Sequence, residues 1–125
     1  MRPTRHSPDF VDEHAAYLVY RFVADQVVRG VVDLSIADHL AEGGLTASEI
    51  AARAGADRET TLMLLKASVA AGLMTLDSRG EFHGTKLLAV LRNKGLSQDR
   101  ALAVVTAGVV RHVILSERAR RIAWN

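Results

Sequence analysis

The chain has 125 residues, of which 49% are hydrophobic and only 5% aromatic, and its formal charge at neutral pH is +2. This length corresponds to one domain, and an apolar content made mostly of Ala, Val and Leu favours packed helices over a β-sandwich. The absence of cysteine excludes disulfides and thiolate metal sites, the small charge is weak evidence for nucleic acid, and the lack of a signal or membrane-spanning run leads us to expect a cytoplasmic protein.

The first predicted element is a long helix that follows a lead-in over residues 1–7, which we expect to be disordered. Ser7 is placed to cap the helix, and Pro8 suits its first position. The helix should run to about Val32 and break at 33–35. Its apolar residues occupy most of its sides, and a chain of this size cannot surround such a helix. The sequence therefore predicts a second subunit as its cover.

A short helix over 36–41 is predicted to end before the glycines at 43–44. Thr46 and Glu49 have the spacing of a capping box, in which each side chain accepts a hydrogen bond from the backbone of the other residue. This box predicts a helix over about 47–54 that stops at a glycine.

Asp57 is placed to cap the next helix, over 58–71, which also stops at a glycine. Two extended runs, 73–76 and 81–84, then flank a glycine-containing turn at 77–80 and predict a β-hairpin. A helix-turn-helix unit followed by a hairpin is the order of elements in a winged helix.

Thr85 can cap one more helix over 86–92. Ser97 is placed to cap a long final helix over 98–115, which is apolar almost all round, and a last helix is predicted to restart over 116–124. The two ends of the chain therefore share the same property, a helix with too little polar surface for a lone protomer.

Four segments, in this order, resemble the N-terminal region of small-molecule O-methyltransferases. They fit a Leu-Gly-x-x-Asp-x-Leu segment with Ser35 in place of Gly, a Thr-x-x-Glu-Ile-Ala motif ending in Gly, a leucine-rich helix ending in Gly-Leu, and a Thr-capped helix after the hairpin. The segments are Val32–Leu40, Leu45–Gly55, Leu62–Leu73 and Phe82–Leu88. The resemblance covers about residues 15–92.

The resemblance implies a mainly α fold, a winged-helix-like helix bundle with one small β-hairpin. It further implies that the long N- and C-terminal helices intertwine with those of a second subunit and help to close a substrate pocket. We expect residues 1–125 to form this single dimerisation domain, with the helix-turn-helix and hairpin wing over 46–84.

In the family that the chain resembles, a following Rossmann-like domain binds S-adenosylmethionine at a glycine-rich turn and supplies a histidine general base. No G-x-G-x-x-G is present in this sequence, which stops at Asn125, where the connection to that domain should begin. We therefore expect a fragment or a stand-alone subunit that binds no cofactor alone. Its partner would be a second copy or a catalytic methyltransferase-type chain.

Some residues are candidates for lining an aromatic substrate pocket or a dimer interface, with plain packing between helices as the alternative. His112, in the apolar final helix, could face a ligand between subunits or be a hydrogen-bonded core residue. No catalytic set and no metal-ligand spacing emerge, because Ser, Thr and Asp lie at helix starts, where capping explains them. The pocket candidates are Tyr17, Tyr20, Phe22 and Met63.

Two other classes of function remain open. A DNA-binding winged-helix regulator would use 58–71 as its recognition helix, yet Arg58 and Lys66 are its only basic residues. The turn at 77–81 carries one positive and two negative charges, which does not favour phosphates. A small ligand-binding or non-methylating enzyme descended from the same family would need a pocket within the dimer.

Overall fold

The computed structural model describes residues 8–124 of the chain, with side-chain detail for residues 14–122. The predicted mainly α fold, with a helix-turn-helix followed by a hairpin, is confirmed. The predicted lead-in over 1–7 and the cap at Ser7 lie outside the described residues. In chain order the elements are α1 (Pro8–Asp33), α2 (Ile36–His39), β1 (Leu45–Thr46), α3 (Ala47–Ala54), α4 (Arg58–Ala70), β2 (Met74–Leu76), β3 (Glu81–Gly84), α5 (Lys86–Ala89), a 3₁₀ turn (Val90–Arg92) and α6 (Gln98–Trp124).

The caps of α3 and α4 form as the sequence predicts. The Glu49 backbone N–H donates to Thr46 Oγ1 over 3.2 Å, and the Thr46 N–H donates to Glu49 Oε1 over 2.9 Å. Asp57 Oδ2 accepts from the Thr60 N–H over 2.9 Å. Each bond satisfies a backbone donor that the first turn of a helix leaves free, so these residues set where the two helices begin.

The turn between α1 and α2 places Ser35 in the left-handed conformation, with φ of 54° and ψ of 36°. This is the position at which the resemblance leads one to expect glycine. An L-residue pays about 1–2 kcal/mol for that conformation, which glycine adopts freely. The turn therefore keeps the path that glycine would allow, at the expense of local strain.

A three-stranded antiparallel sheet contains the predicted hairpin, with β3 between β1 and β2. The buried Phe82 at its centre lies opposite Leu45 on one side and Leu76 on the other. The sequence did not predict β1, because a strand of two residues has no periodicity of its own and exists only through its pairing with β3. This pairing ties the start of α3 to the wing.

The core lies between the C-terminal half of α1, the helix-turn-helix and the middle of α6. Its larger members have almost no exposed surface, and burying each contributes about 1.5–3 kcal/mol relative to exposure. These fully buried hydrophobic residues are Val28, Val31, Ile36, Ile50, Leu65, Leu73, Met74, Val105 and Val109.

The predicted break at Ser116 is wrong, because α6 continues through it to Trp124. Val113 and Ile114 pack against the core just before the serine, and Arg120 pairs with Glu117 over 3.2 Å just after it. These contacts support a continuous helix and override the local capping signal of a serine. Smaller differences are that α2 ends at His39, and that the helix predicted over 86–92 tightens into a 3₁₀ turn from Val90.

Candidate dimer interface and small-molecule groove

The two halves of α1 have different surroundings. Ala24, Val27, Val28 and Val31 in the C-terminal half are buried in the core. Between residues 14 and 23 no side chain is fully buried. The sequence of α1 therefore places its apolar residues partly toward the protomer's own core and partly toward solvent.

Four large apolar side chains of α1, here called the α1 stripe, lie exposed on the protomer. Phe22 is 66% exposed and Val19 is 57% exposed. Monomeric proteins seldom leave so much contiguous apolar surface in water, and such a patch marks an association site. The α1 stripe consists of Leu18, Val19, Phe22 and Val23.

A second apolar row runs along α6. Val104, Leu115 and Ile122 are all exposed, and Ile122 is 75% exposed. Their separations of eleven and seven residues are close to whole numbers of helical turns, so the three side chains point to the same side of the helix. We call this row the α6 stripe.

A groove of about 930 Å³ runs between α1 and α6. Tyr17, Leu18 and Phe22 contribute its apolar side on α1. Three charged residues of α1 also line it, namely Arg21, Asp25 and Arg29. The α6 side is formed by Asp99, Leu102, Ala103, Thr106, Ala107, Val110, Arg111, Ile114, Leu115 and Arg118. Small-molecule sites have volumes of about 300–1,000 Å³, so this interhelical groove has the size of one.

A smaller cavity of about 270 Å³ adjoins the groove. Tyr17 and Tyr20 line it from α1, and Ile114, Arg118 and Arg121 are among the residues that line it from α6. The N-terminal half of α1 therefore lies beside the C-terminal half of α6, and the two helices run in opposite directions along the groove.

The structure brings together three of the five residues singled out in the sequence. Tyr17, Tyr20 and Phe22 line the groove or the smaller cavity. Met63 lies on α4, 72% exposed, and His112 lies on another side of α6; neither lines these two spaces. A substrate-pocket or interface role for each of the five stays a prediction.

The sequence analysis did not predict that the arginines of the groove lie together. Among the described residues, Arg29 Nε pairs with Asp25 Oδ2 over 2.8 Å, while Arg21, Arg111 and Arg118 have no carboxylate within ion-pair distance. Their convergence depends on how α1 and α6 lie against each other. The spacing of Arg111 and Arg118, seven residues apart on one helix, is the only sequence clue.

A cluster in the wing offers three potential metal ligands, although the spacing of residues predicted none. Single ligand atoms of Asp77, Glu81 and His83 lie within 4.8 Å of one another. Asp77 Oδ2 lies 2.8 Å from His83 Nε2, and Asp77 Oδ1 accepts from the backbone N–H groups of Arg79 and Glu81. The His83 hydrogen bond first, then those of Glu81 and Arg79, lower the pKa of Asp77 to about 2. These hydrogen bonds close the turn of the hairpin, and this structural role explains why the three side chains lie together.

The surface of α4 does not match a base-reading helix. Its outer side carries the exposed Met63, and the guanidinium of Arg58 donates to Ser48 Oγ over 2.8 Å. A helix that reads the major groove presents Arg, Lys, Asn or Gln along the face that enters it. No helix in the described part of the chain has both the length and the hydropathy needed to cross a bilayer.

Comparison with protein families matches residues 17–98 to the O-methyltransferase dimerisation domain. Over 85 residues the chain is 39% identical to 2,7-dihydroxy-5-methyl-1-naphthoate 7-O-methyltransferase of Streptomyces carzinostaticus, a match that covers 65% of this chain and 26% of that enzyme. The chain thus spans about a quarter of the length of this relative.

Among solved structures, an O-methyltransferase of neocarzinostatin biosynthesis, in complex with S-adenosyl-L-homocysteine, is similar at 37% identity and a TM-score of 0.55. The match covers 62% of this chain and 26% of that one. N,N-8-amino-8-demethyl-D-riboflavin dimethyltransferase of Streptomyces davawensis shares the fold, with 24% identity, a TM-score of 0.55 and coverage of 72% and 26%. These similarities favour the methyltransferase interpretation over a DNA-binding regulator.

Proposed function

Because residues 17–98 match the O-methyltransferase dimerisation domain, the chain belongs to that family, and we propose that it pairs two subunits of a small-molecule O-methyltransferase through α1 and α6. The observation that carries this proposal is the pair of uncovered apolar rows, the α1 stripe and the α6 stripe. Covering a row of half-exposed valine, leucine and phenylalanine side chains releases water from them and stabilises association.

The partner in this proposal is a second copy of the same chain. A two-fold arrangement lets one surface serve both subunits, and two-fold dimers are the commonest soluble assemblies. The α1 and α6 stripes lie on two long helices at opposite ends of the chain, so a copy can place its own helices along both. A separate catalytic chain as partner is the alternative that the experiment below distinguishes.

The interhelical groove is proposed as one wall of the substrate pocket. Tyr17 and Phe22 line the groove on one side, and the small side chains of Ala103 and Ala107 leave room on the other. This composition suits a flat hydroxylated aromatic molecule, the class to which the naphthoate in the name of the similar Streptomyces carzinostaticus enzyme belongs. The proposed substrate class is therefore aromatic and of natural-product type.

The methyl donor is proposed to bind outside this fold. The structurally similar methyltransferase holds S-adenosyl-L-homocysteine, yet the region it shares with this chain is 26% of its length. Within residues 8–124 β1 runs directly into α3 with Thr46 as the cap, and Thr85 alone separates β3 from α5, so neither connection is a glycine-rich turn. We place the module with a cytoplasmic biosynthetic enzyme, as the sequence led us to expect.

Sedimentation velocity of the purified chain at micromolar concentration tests the dimer. We expect one species of twice the chain mass, formed without any second protein. A compact monomer over this concentration range would contradict the proposal, and a monomer that associates only when a methyltransferase-type chain is added would replace self-pairing with the alternative partner.

Calorimetric titration of the same sample with S-adenosylmethionine tests whether the methyl donor binds outside this fold. We expect no heat of binding at ligand concentrations up to the millimolar range. Tight binding by this chain alone would place the donor site within it and contradict the proposed role.

A further inference from the structure

The outward face of the hairpin wing carries three side chains of the types that bind metal ions. Glu81 and His83 lie on one face of β3, because side chains alternate along a strand and the intervening Phe82 is buried in the core. Asp77 lies at the start of the turn that leads into this strand. One ligand atom from each of Asp77, Glu81 and His83 lies within 4.8 Å of the other two. All three residues are half-buried, so an ion can reach them from solvent.

Two of the three ligands are held in position by the fold. Asp77 Oδ1 accepts hydrogen bonds from the backbone N–H groups of Arg79 and Glu81, each over 2.9 Å, while Asp77 Oδ2 faces His83 Nε2. The His83 ring lies against Gly44, where an added Cβ would overlap it. An arriving ion therefore finds a carboxylate oxygen and an imidazole nitrogen already oriented, and little conformational freedom is lost when it binds.

The distance between these two atoms suits neighbouring ligands of one ion. Asp77 Oδ2 and His83 Nε2 are 2.8 Å apart. Metal–ligand bonds of about 2.1 Å would then meet at an angle of about 85°, near the right angle of octahedral and tetragonal coordination. Mixed nitrogen and oxygen ligands in that geometry suit Ni²⁺ or Cu²⁺, whereas Mg²⁺ and Ca²⁺ prefer oxygen ligands alone. The ion would replace the proton that the two atoms otherwise share.

The Glu81 carboxylate supplies the third ligand. The turn is closed by the backbone N–H of Glu81, and among the described residues the carboxylate has neither a hydrogen bond nor an ion pair. Arg79, the basic residue of the turn, makes no ion pair in the described part of the chain, so it does not occupy either carboxylate. Two carboxylates and a neutral imidazole balance the charge of a divalent ion.

We propose that Asp77, Glu81 and His83 bind a divalent first-row transition metal ion, with water completing its coordination. The proposal is independent of the proposed function, because all three ligands come from one hairpin of one protomer. It also gives the Glu81 carboxylate a role, which closure of the hairpin does not.

Calorimetric titration of the untagged chain with Ni²⁺ measures this binding. We expect one ion per chain, and binding of Mg²⁺ at least tenfold weaker, because an imidazole nitrogen is a poor ligand for magnesium. The absence of saturable Ni²⁺ binding would overturn the proposal. Equal binding of the two ions would also overturn it, since it would reduce the cluster to diffuse negative charge.

Matched variants assign the ion to these ligands. E81Q removes a carboxylate that the fold does not use, and H83Q removes the imidazole; each should weaken Ni²⁺ binding at least tenfold. H39Q removes a histidine that also has a carboxylate beside it in sequence, Asp38 on α2, and should change the affinity less than about twofold. Unchanged binding in E81Q, or an equal loss in H39Q, would contradict the assignment.

Two-dimensional NMR locates the ion without relying on a variant. Co²⁺, a paramagnetic ion of the same class, broadens the resonances of nuclei close to it. We expect the amide signals of residues 77–83 and 43–44 to lose intensity first as Co²⁺ is added. Broadening centred on another part of the chain would place the ion there and overturn the proposal.

Discussion

The imidazole ring of His112, on α6, lies directly against the backbone of Gly72, which follows the end of α4. A Cβ atom built on Gly72 would lie 2.7 Å from His112 Cγ, and the glycine has a φ of +82°. Both the close approach and the left-handed backbone require glycine here. This contact joins the end of the helix-turn-helix to the C-terminal helix.

Gly72→Ala should therefore destabilise the fold by about 1–3 kcal/mol, as measured by urea unfolding at fixed protein concentration. Gly80 is a matched control, since it has the same φ of +82° with nothing within 4 Å of the added Cβ. Gly80→Ala should incur only the backbone cost of about 1 kcal/mol. Adding His112→Ala to Gly72→Ala should recover the part of the stability loss that exceeds the loss of Gly80→Ala. If Gly72→Ala alone loses no more stability than Gly80→Ala, the His112 ring moves aside without cost and the prediction is contradicted.

Thr61 offers the opposite case, a substitution that should stabilise. It is 1% exposed, and its Oγ1 has no hydrogen-bond partner among the described residues. Thr61→Val keeps the shape and removes the unpaired hydroxyl, so we expect a gain of about 1 kcal/mol in urea unfolding. Thr60→Val on the same helix should not gain, because the exposed Thr60 Oγ1 donates to Asp57 Oδ2 over 2.9 Å. A loss at Thr61 would mean that its hydroxyl is satisfied in solution.

The α1 stripe and the α6 stripe can be tested by introducing charge. Val23→Glu and Ile122→Glu should each raise the dissociation constant of the dimer at least tenfold, because an interface that covers these positions would have to bury an unpaired carboxylate. Ala52→Glu, on the exposed side of α3, introduces the same charge away from both stripes and should leave the constant unchanged. Circular dichroism checks that the helices persist, and unchanged dimers in both stripe variants would place the interface elsewhere.

Asp77 should make the stability of the wing depend on acid. Hydrogen bonds from His83 and from the backbone of Glu81 and Arg79 lower its pKa from 3.8 to about 2. A carboxyl with a depressed pKa stabilises the fold above its unfolded value, and that contribution is lost as the pH falls from about 4 to about 2. The difference in melting temperature between the natural chain and Asp77→Asn should therefore be full at pH 5 and vanish near pH 2. The difference in melting temperature between the natural chain and His83→Gln should be smaller and should vanish over the same pH range. A melting-temperature difference for Asp77→Asn that does not change with pH would contradict this role of Asp77.

The helix boundaries could largely be predicted because their causes are local. Thr46 with Glu49, Asp57 and Gly55 each act within one turn of the chain, and the structure uses them as expected. The signal at Ser116 is just as local, yet it was overridden by the packing of neighbouring residues. A short capping motif therefore fixes a helix end only where no tertiary contact favours continuation.

The candidate site likewise contains some residues that could be predicted from the sequence and others that could not. Tyr17, Tyr20 and Phe22 could be singled out because aromatic residues are rare in this chain and lie close together on one helix. The grouping of Arg21 with Arg111 and Arg118 depends on the antiparallel approach of two helices about 90 residues apart, which no periodicity encodes. The strand β1 was missed for the same physical reason, since its pairing with β3 is also remote in sequence.

The uneven burial of α1 has a consequence for the order in which its two halves fold and the subunits associate. Its second half can consolidate within one chain, as a unimolecular step that depends only on temperature and solvent. Its first half has no fully buried side chain between residues 14 and 23 in the protomer, so we expect it to become ordered only on association. The protection of its amides from deuterium exchange should therefore depend on protein concentration. Dilution should then unravel this helix from one end only, with the boundary between Val23 and Ala24.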